Sequence, residues 1–292
     1  MKKLLIASTA LVASAGIASA DITLSGSAAA GFHTDLAEGG APAPANGVYS
    51  NAGVVITMST TTDSGITFST SMDAEAGVEI DTGDFEFDGD AGTTFALGNV
   101  SATGAFGTLS FDSDGIDNLY DDDRNGGDVS FSTTVGSVSV AAVIDTDDSE
   151  TDDGTTDSMS ASASFTSGAM TISGSATTGD ADGTGSALAV SYAVSDTVTV
   201  SADTDNAPGA ASVNTIGVAT SINGIGVSAD ASSDSTWDLD LTYSLSGVAL
   251  TYSTTDANAW DASASMSLGG GATAHAGTNA AGSTYAGVSL SF

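Results

Sequence analysis

The residues of this chain best able to act on their surroundings are carboxylates, and they are densest between Asp112 and Asp128. That stretch reads D-S-D-G-I-D-N-L-Y-D-D-D-R-N-G-G-D and holds seven aspartates together with Arg124. Packed carboxylates do electrostatic work. They attract cations and repel anions, more so where low-dielectric walls focus the field. Oxygen ligands for Ca2+ or Mg2+ could be drawn from Asp121 to Asp123 or from Asp147 to Asp157, but the spacing matches no defined calcium loop. A solvated acidic loop with no cofactor is therefore expected. His33 and His275, the two histidines, stand in neither a Ser-centred nor a metal-ligand pattern, so enzyme chemistry is not expected. Arg124 is expected to pair with neighbouring aspartates and brace the segment.

The overall charge sharpens this picture. The chain carries 37 acidic residues against 3 basic ones, a formal charge of −34. Nucleic acid as a partner is excluded, because it requires a basic face. With no cysteine, a disulfide framework or thiolate metal site is excluded too. Residues 1–20 read as an export signal: Lys2 and Lys3 form a positive start, Leu4 to Ile17 an apolar core, and Ala18-Ser19-Ala20 a small-residue cleavage site. Removing those two lysines takes the charge from −34 to −36 and leaves residues 21–292 as one unit.

The elements that must position the acids are strands. Ile22, Leu24, Gly26, Ala28, Ala30 and Phe32 fall on one face and Thr23, Ser25, Ser27 and His33 on the other, the alternation of a half-buried strand. The beat continues to Ala286, Val288, Leu290 and Phe292 and gives eighteen candidate strands. Short turns such as Gly136-Ser137, Asn223-Gly224 and Ser246-Gly247 join them at one end. Longer polar or acidic connections, Asp35 to Ser50, Glu79 to Gly92 and Thr146 to Ser158 among them, join them at the other. That asymmetry is the mark of a transmembrane antiparallel up-and-down β-barrel. No run after residue 20 is long and apolar enough for a membrane helix. Disorder, the default for so acidic a chain, is inconsistent with the alternation.

Alternation alone does not say which face meets water. The polar phase consists of Ser, Thr, Asp and Gly with almost no Lys or Arg, which suits an aqueous lumen better than an ordinary solvated sheet. Trp237 and Trp260 open two strands at the long-loop end, while Phe68, Phe165, Tyr192, Tyr243 and Phe292 lie near short turns, as two interfacial girdles would. On this phase the expected lumen acids are Asp73, Glu75, Asp128, Asp145, Asp203, Asp205, Asp230, Asp238, Asp240 and Asp261.

Several motifs resemble the general porins of alphaproteobacteria, of the Rhodobacter type. They are Asp21-Ile-Thr-Leu-Ser-Gly, Thr57-Met-Ser-Thr-Thr-Thr-Asp-Ser-Gly65, Gly104-Ala-Phe-Gly-Thr-Leu-Ser-Phe111, Tyr120-Asp-Asp-Asp-Arg-Asn-Gly-Gly127 and the terminal Phe292. They cover the first half and the last strand, and between Asp145 and Ser283 only the rhythm is shared. The resemblance implies a homotrimer of barrels in the outer membrane, in contact with lipid and lipopolysaccharide, and a terminal aromatic read by the assembly machinery. It also implies an inward-folded third loop, with Asp112, Asp114, Asp117, Asp121, Asp122, Asp123 and Arg124 at a pore constriction. Two departures stand out: the family usually has sixteen strands against eighteen here, and it sets a basic cluster opposite the loop where this chain has none. The expected function is a cation-selective channel for passive diffusion of small hydrophilic solutes. The alternative is a secreted acidic β-rich adhesin or surface-layer protein.

Overall fold

The computed structural model describes residues 20–38, 46–83, 85–91, 95–121, 126–146, 158–180 and 183–292. Among these the chain forms eighteen antiparallel wall strands and no helix. The first nine are β1 (Ala20–Thr34), β2 (Asn46–Thr61), β3 (Thr67–Asp81), β4 (Val100–Gly104), β5 (Gly107–Ile116), β6 (Gly127–Val135), β7 (Val138–Ile144), β8 (Met159–Ser167) and β9 (Met170–Asp180). The second nine are β10 (Gly183–Ser195), β11 (Val198–Asn206), β12 (Val213–Ile222), β13 (Ile225–Ser232), β14 (Trp237–Leu245), β15 (Val248–Thr255), β16 (Trp260–Gly269), β17 (Ala272–Asn279) and β18 (Thr284–Ser291).

Each wall strand pairs with its neighbours in sequence, and β18 pairs back with β1 from Thr34↔Thr284 to Ser27↔Ser291. Beyond that ladder, Gly26 N donates to Phe292 O at 2.8 Å and Phe292 N to Gly26 O at 3.0 Å. Closure is what hydrocarbon demands, since each unpaired backbone group there costs several kcal/mol. The hairpin ends follow from local chemistry. Asn223-Gly224 (φ 53° and 82°) and Ser246-Gly247 (φ 51° and 86°) both hold two successive positive φ angles, the two-residue turn whose twist matches that of the strands it joins.

The strands turn their apolar side chains outward. Leu24 is 63% exposed, Ile216 67% and Val135 73%, and the expected girdle aromatics Phe68, Phe165, Tyr192, Tyr243, Trp237 and Trp260 are all exposed. Only seven apolar residues are buried among the described ones, which leaves no dry core for a soluble sandwich. A secreted adhesin would need the same Val, Ile and Leu residues to converge inside, and they do not. Strand lengths beyond the roughly nine to eleven residues of a tilted crossing occur at β1, β2, β3 and β10, of 15, 16, 15 and 13 residues.

Three connections differ from the sequence expectation. The wall beside β3 is made in three pieces, Glu86–Ala91, Ala96–Leu97 and β4, rather than as one continuous strand. The acidic connection from Glu79 to Gly92 is therefore a hairpin, and its outer edge pairs in parallel with Ala37–Glu38. The segment from Asp112 to Asp128 is a loop only in its middle, because β5 runs on to Ile116 and β6 begins at Gly127.

Candidate functional site

The inner wall has two chemically distinct arcs. From β5 to β10 it presents hydroxyls and small groups such as Ser132, Ser139, Ser162 and Ser173, around a space of about 580 Å³. From β11 to β16 it presents carboxylates: Asp203 and Asp205 on β11, Asp230 on β13, Asp238 and Asp240 on β14, and Asp261 on β16. The pleat explains this grouping. Asp230 faces Asp238 across the ladder, while Asp240 and Asp261 both face Ser253 of β15, so all lie on the phase opposite to Leu239, Leu241 and Tyr252. Asp73 and Glu75 share the inward phase on β3, where Glu75 Oε1 accepts a hydrogen bond from Asn51 Nδ2 at 2.9 Å.

Two segments fold against this wall. The first follows β5. Leu119 N donates to Ser160 Oγ of β8 at 2.9 Å, Asn118 Nδ2 to Thr177 Oγ1 of β9 at 3.0 Å, and Tyr120 OH to Asp205 Oδ1 of β11 at 2.6 Å. The Tyr120 ring covers Gly185 of β10, where a Cβ would stand 2.7 Å from the ring. Ser160 and Thr177 are sealed beneath this turn. The sequence expectation of an inward third loop therefore holds from Asp117 to Tyr120, on contacts that the acid pattern did not reveal.

The second segment is the tip of the hairpin after β3. Gly77 makes it possible: its φ is 103°, and a Cβ there would collide with the Ser50 carbonyl oxygen. Past it the register with Glu86–Ala91 slips between Val78 and Ile80. The tip then carries Phe85 and Phe87 onto the inner wall, into a buried cluster with Leu36, Tyr49, Ile80 and Tyr285. Phe87 meets His33 edge-on at 4.6 Å between centroids, and Phe85 lies 5.2 Å from Tyr285. Tyr49 OH and His275 Nε2 are 2.8 Å apart, and Tyr285 OH donates to the Thr82 carbonyl at 3.2 Å. Glycines clear the path for these rings: a Cβ at Gly31 or Gly277 would stand 2.6 Å from the ring of Tyr49 or Tyr285. Burying each phenylalanine contributes about 1.5–3 kcal/mol, and fixing one residue's backbone costs about 1–2. The rings alone thus offset the ordering of only a few residues, and the strand pairings of Asp81 with Glu86 and of Ala37 with Glu86 stabilise the rest.

The two segments dock on opposite walls. The first spans β8 to β11 and the second is centred on β18 and β1, nine strands away around the ring of eighteen. Both contact residues within a few positions of the long-loop ends of the strands.

The acids expected at the constriction have mixed fates. Asp117 is exposed and Asp121 half-buried, on either side of the docked turn. Asp112 lies instead in a crevice with Leu97, Asp128 and Thr146. Asp128 is engaged there, accepting from Thr146 N at 2.7 Å and Thr146 Oγ1 at 2.6 Å. Asp145 is buried beside Ser158. The side chain of Asp114, together with Asp122, Asp123 and Arg124, lies outside the described residues, as does the run 147–157. Among the described residues no three His, Asp or Glu side chains converge on a metal position. His33 and His275 are on the inner wall, packed within the aromatic cluster. Asn118, Tyr120, Tyr49, Tyr285, Phe85 and Phe87 were not singled out by the acid pattern; the one signal was two phenylalanines, at 85 and 87, inside an acidic connection.

Residues 7–114 match the family described as Gram-negative porin. No curated protein matches the sequence. Among solved structures, an engineered triple mutant of the Rhodopseudomonas blastica porin is 16% identical with a TM-score of 0.55, covering 93% of this chain and 100% of that one. A porin refined at 1.8 Å is 18% identical with a TM-score of 0.56 and the same coverage. At such identities the likeness speaks to the fold, and it agrees with the outward apolar face and the closed edge. Over residues 7–114 the chain matches the Gram-negative porin family, and its fold is a closed antiparallel barrel similar to those porin structures, built here with eighteen strands.

Proposed function

We propose that this barrel is a water-filled channel through which cations and small hydrophilic solutes diffuse passively, with cations preferred. The observation that carries the reading is the carboxylate arc from Asp203 to Asp261, which no lysine or arginine faces among the described residues. In a narrow bore such an arc raises the local cation concentration and excludes anions. The neighbouring β5–β10 arc is mostly hydroxyl, so the field is strongest along the β11–β16 wall and cations are drawn there. Asp117 and Asp121 extend the same polarity onto the docked turn. Passive diffusion needs no cofactor.

We further read residues 1–20 as the removable export signal and the assembled form as a homotrimer set in lipid and lipopolysaccharide. Support for close barrel packing comes from the outward face around the β1–β18 seam, which carries the small side chains of Ala28, Ala30, Ala52, Ala74, Ala276 and Ala286. Purified protein in a planar bilayer under a KCl gradient tests the main reading. The expected result is stepwise conductance with a reversal potential of cationic sign. An anionic sign would refute the charge argument, and no conductance would refute the channel.

A further inference from the structure

The carboxylate arc accounts for ion preference, but it does not account for the hairpin tip built from Thr82, Gly83 and Phe85–Phe87. A connection that served only to join two strands would have no reason to bury two phenylalanines on the inner wall. The tip leaves the top of β3 and crosses the inner faces of β2, β1 and β18, so that Gly83 and Phe85 border the same crevice as Ser253, Asp261 and Asn279. It is pivoted at Gly77 and clamped by Tyr285, whose ring packs on Phe85 and whose hydroxyl holds Thr82. Phe87 is buried against His33, so Glu86, the residue between the two rings, is left half-exposed.

We propose that this tip is a second constriction element, opposite the Asn118–Tyr120 turn, and that the gap between them sets the size limit for solutes. The inference rests on the channel reading and deepens it. Size selection and charge selection then reside in different parts of the molecule. The tip narrows the mouth by bulk, and the β11–β16 carboxylates choose the sign of the ion.

The separation gives the test. In the double variant F85S/F87S the tip loses its anchors, and single-channel conductance rises while the liposome-swelling cutoff moves to larger sugars. The reversal potential under a KCl gradient stays that of the parent, because the carboxylate arc is untouched. A second variant does not depend on the tip coming loose. The chain has no cysteine, so Gly83→Cys provides a single thiol at the exposed tip. Reaction with a methanethiosulfonate carrying a bulky trimethylammonium group is expected to remove part of the conductance, and a thiol reductant to restore it. Full modification by mass spectrometry with unchanged conductance would overturn the proposal while leaving the channel intact. So would an F85S/F87S barrel that migrates as folded and keeps the parent's conductance and cutoff. A parent protein that does not conduct would overturn the channel reading instead, and this inference with it.

Discussion

The Tyr120 hydroxyl donates a 2.6 Å hydrogen bond to Asp205 Oδ1, joining two residues 85 positions apart across the inside of the barrel. It ties the turn after β5 to the first strand of the carboxylate arc. A hydrogen bond to a charged acceptor contributes about 1.5–3 kcal/mol when well shielded, and the lower end applies at this half-buried position. Tyr120→Phe should therefore leave the barrel folded but loosen the turn. The expected signature is larger open-channel current noise, with a slight rise in cation preference as Asp205 is released to the bore. Noise equal to that of the parent would show that Asn118 and Leu119 hold the turn unaided.

Replacing Asp230, Asp238 and Asp240 together by Asn removes the centre of the arc while keeping side-chain size. Cation preference should fall, and conductance should drop in dilute salt but hardly change in concentrated salt. The reason is screening: the Debye length shrinks from about 30 Å at 0.01 M to about 3 Å at 1 M, so in strong salt the carboxylates no longer act across the bore. A loss of conductance equal at both ionic strengths would point to a blocked pore rather than a missing field.

Gly277→Ala tests the clamp on the hairpin tip. The added Cβ would stand 2.6 Å from the Tyr285 ring, closer than real contacts allow, so the ring must shift away from Phe85. Overpacking of this kind costs about 1–3 kcal/mol. The expected outcome is a lower midpoint of thermal unfolding in detergent, with reduced near-ultraviolet circular dichroism from the tyrosines. An unchanged midpoint would mean that the cluster gives way freely and does not hold the tip.

The barrel was legible in the sequence because its signal is local. Ile22, Leu24 and Phe32 against Thr23, Ser25 and His33 declare a strand within one strand's length, and Asn223-Gly224 declares its turn within two residues. The strand number followed from repeating that reading, and the structure has the same eighteen. The inward docking of Asn118 to Tyr120 was anticipated from the resemblance that Tyr120 to Gly127 helps to carry. Its cause, however, is a serine, a threonine and an aspartate on β8, β9 and β11, 41 to 85 positions away. The second docked segment was missed for the same reason at greater range. Tyr285 lies 203 positions from Thr82, and the acidic residues around Phe85 and Phe87 made a solvated loop the natural expectation. Tyr49 was assigned to a polar connection because Asn46, Gly47 and Ser50 surround it, yet β2 begins at Asn46 and the ring lies flat over Gly31 of β1. Side chains that dock across the bore leave no periodic trace.

The orientation of the apolar face underlies every step, and the two tryptophans report on it directly. Trp237 and Trp260 are the only tryptophans in the chain, and both sit on the outer face at the long-loop ends of their strands. In bilayers of bromine-labelled lipid their fluorescence should be strongly quenched, while aqueous iodide should have little effect. Fluorescence indifferent to the brominated lipid, or quenched only from water, would contradict a barrel that turns its apolar side chains to hydrocarbon.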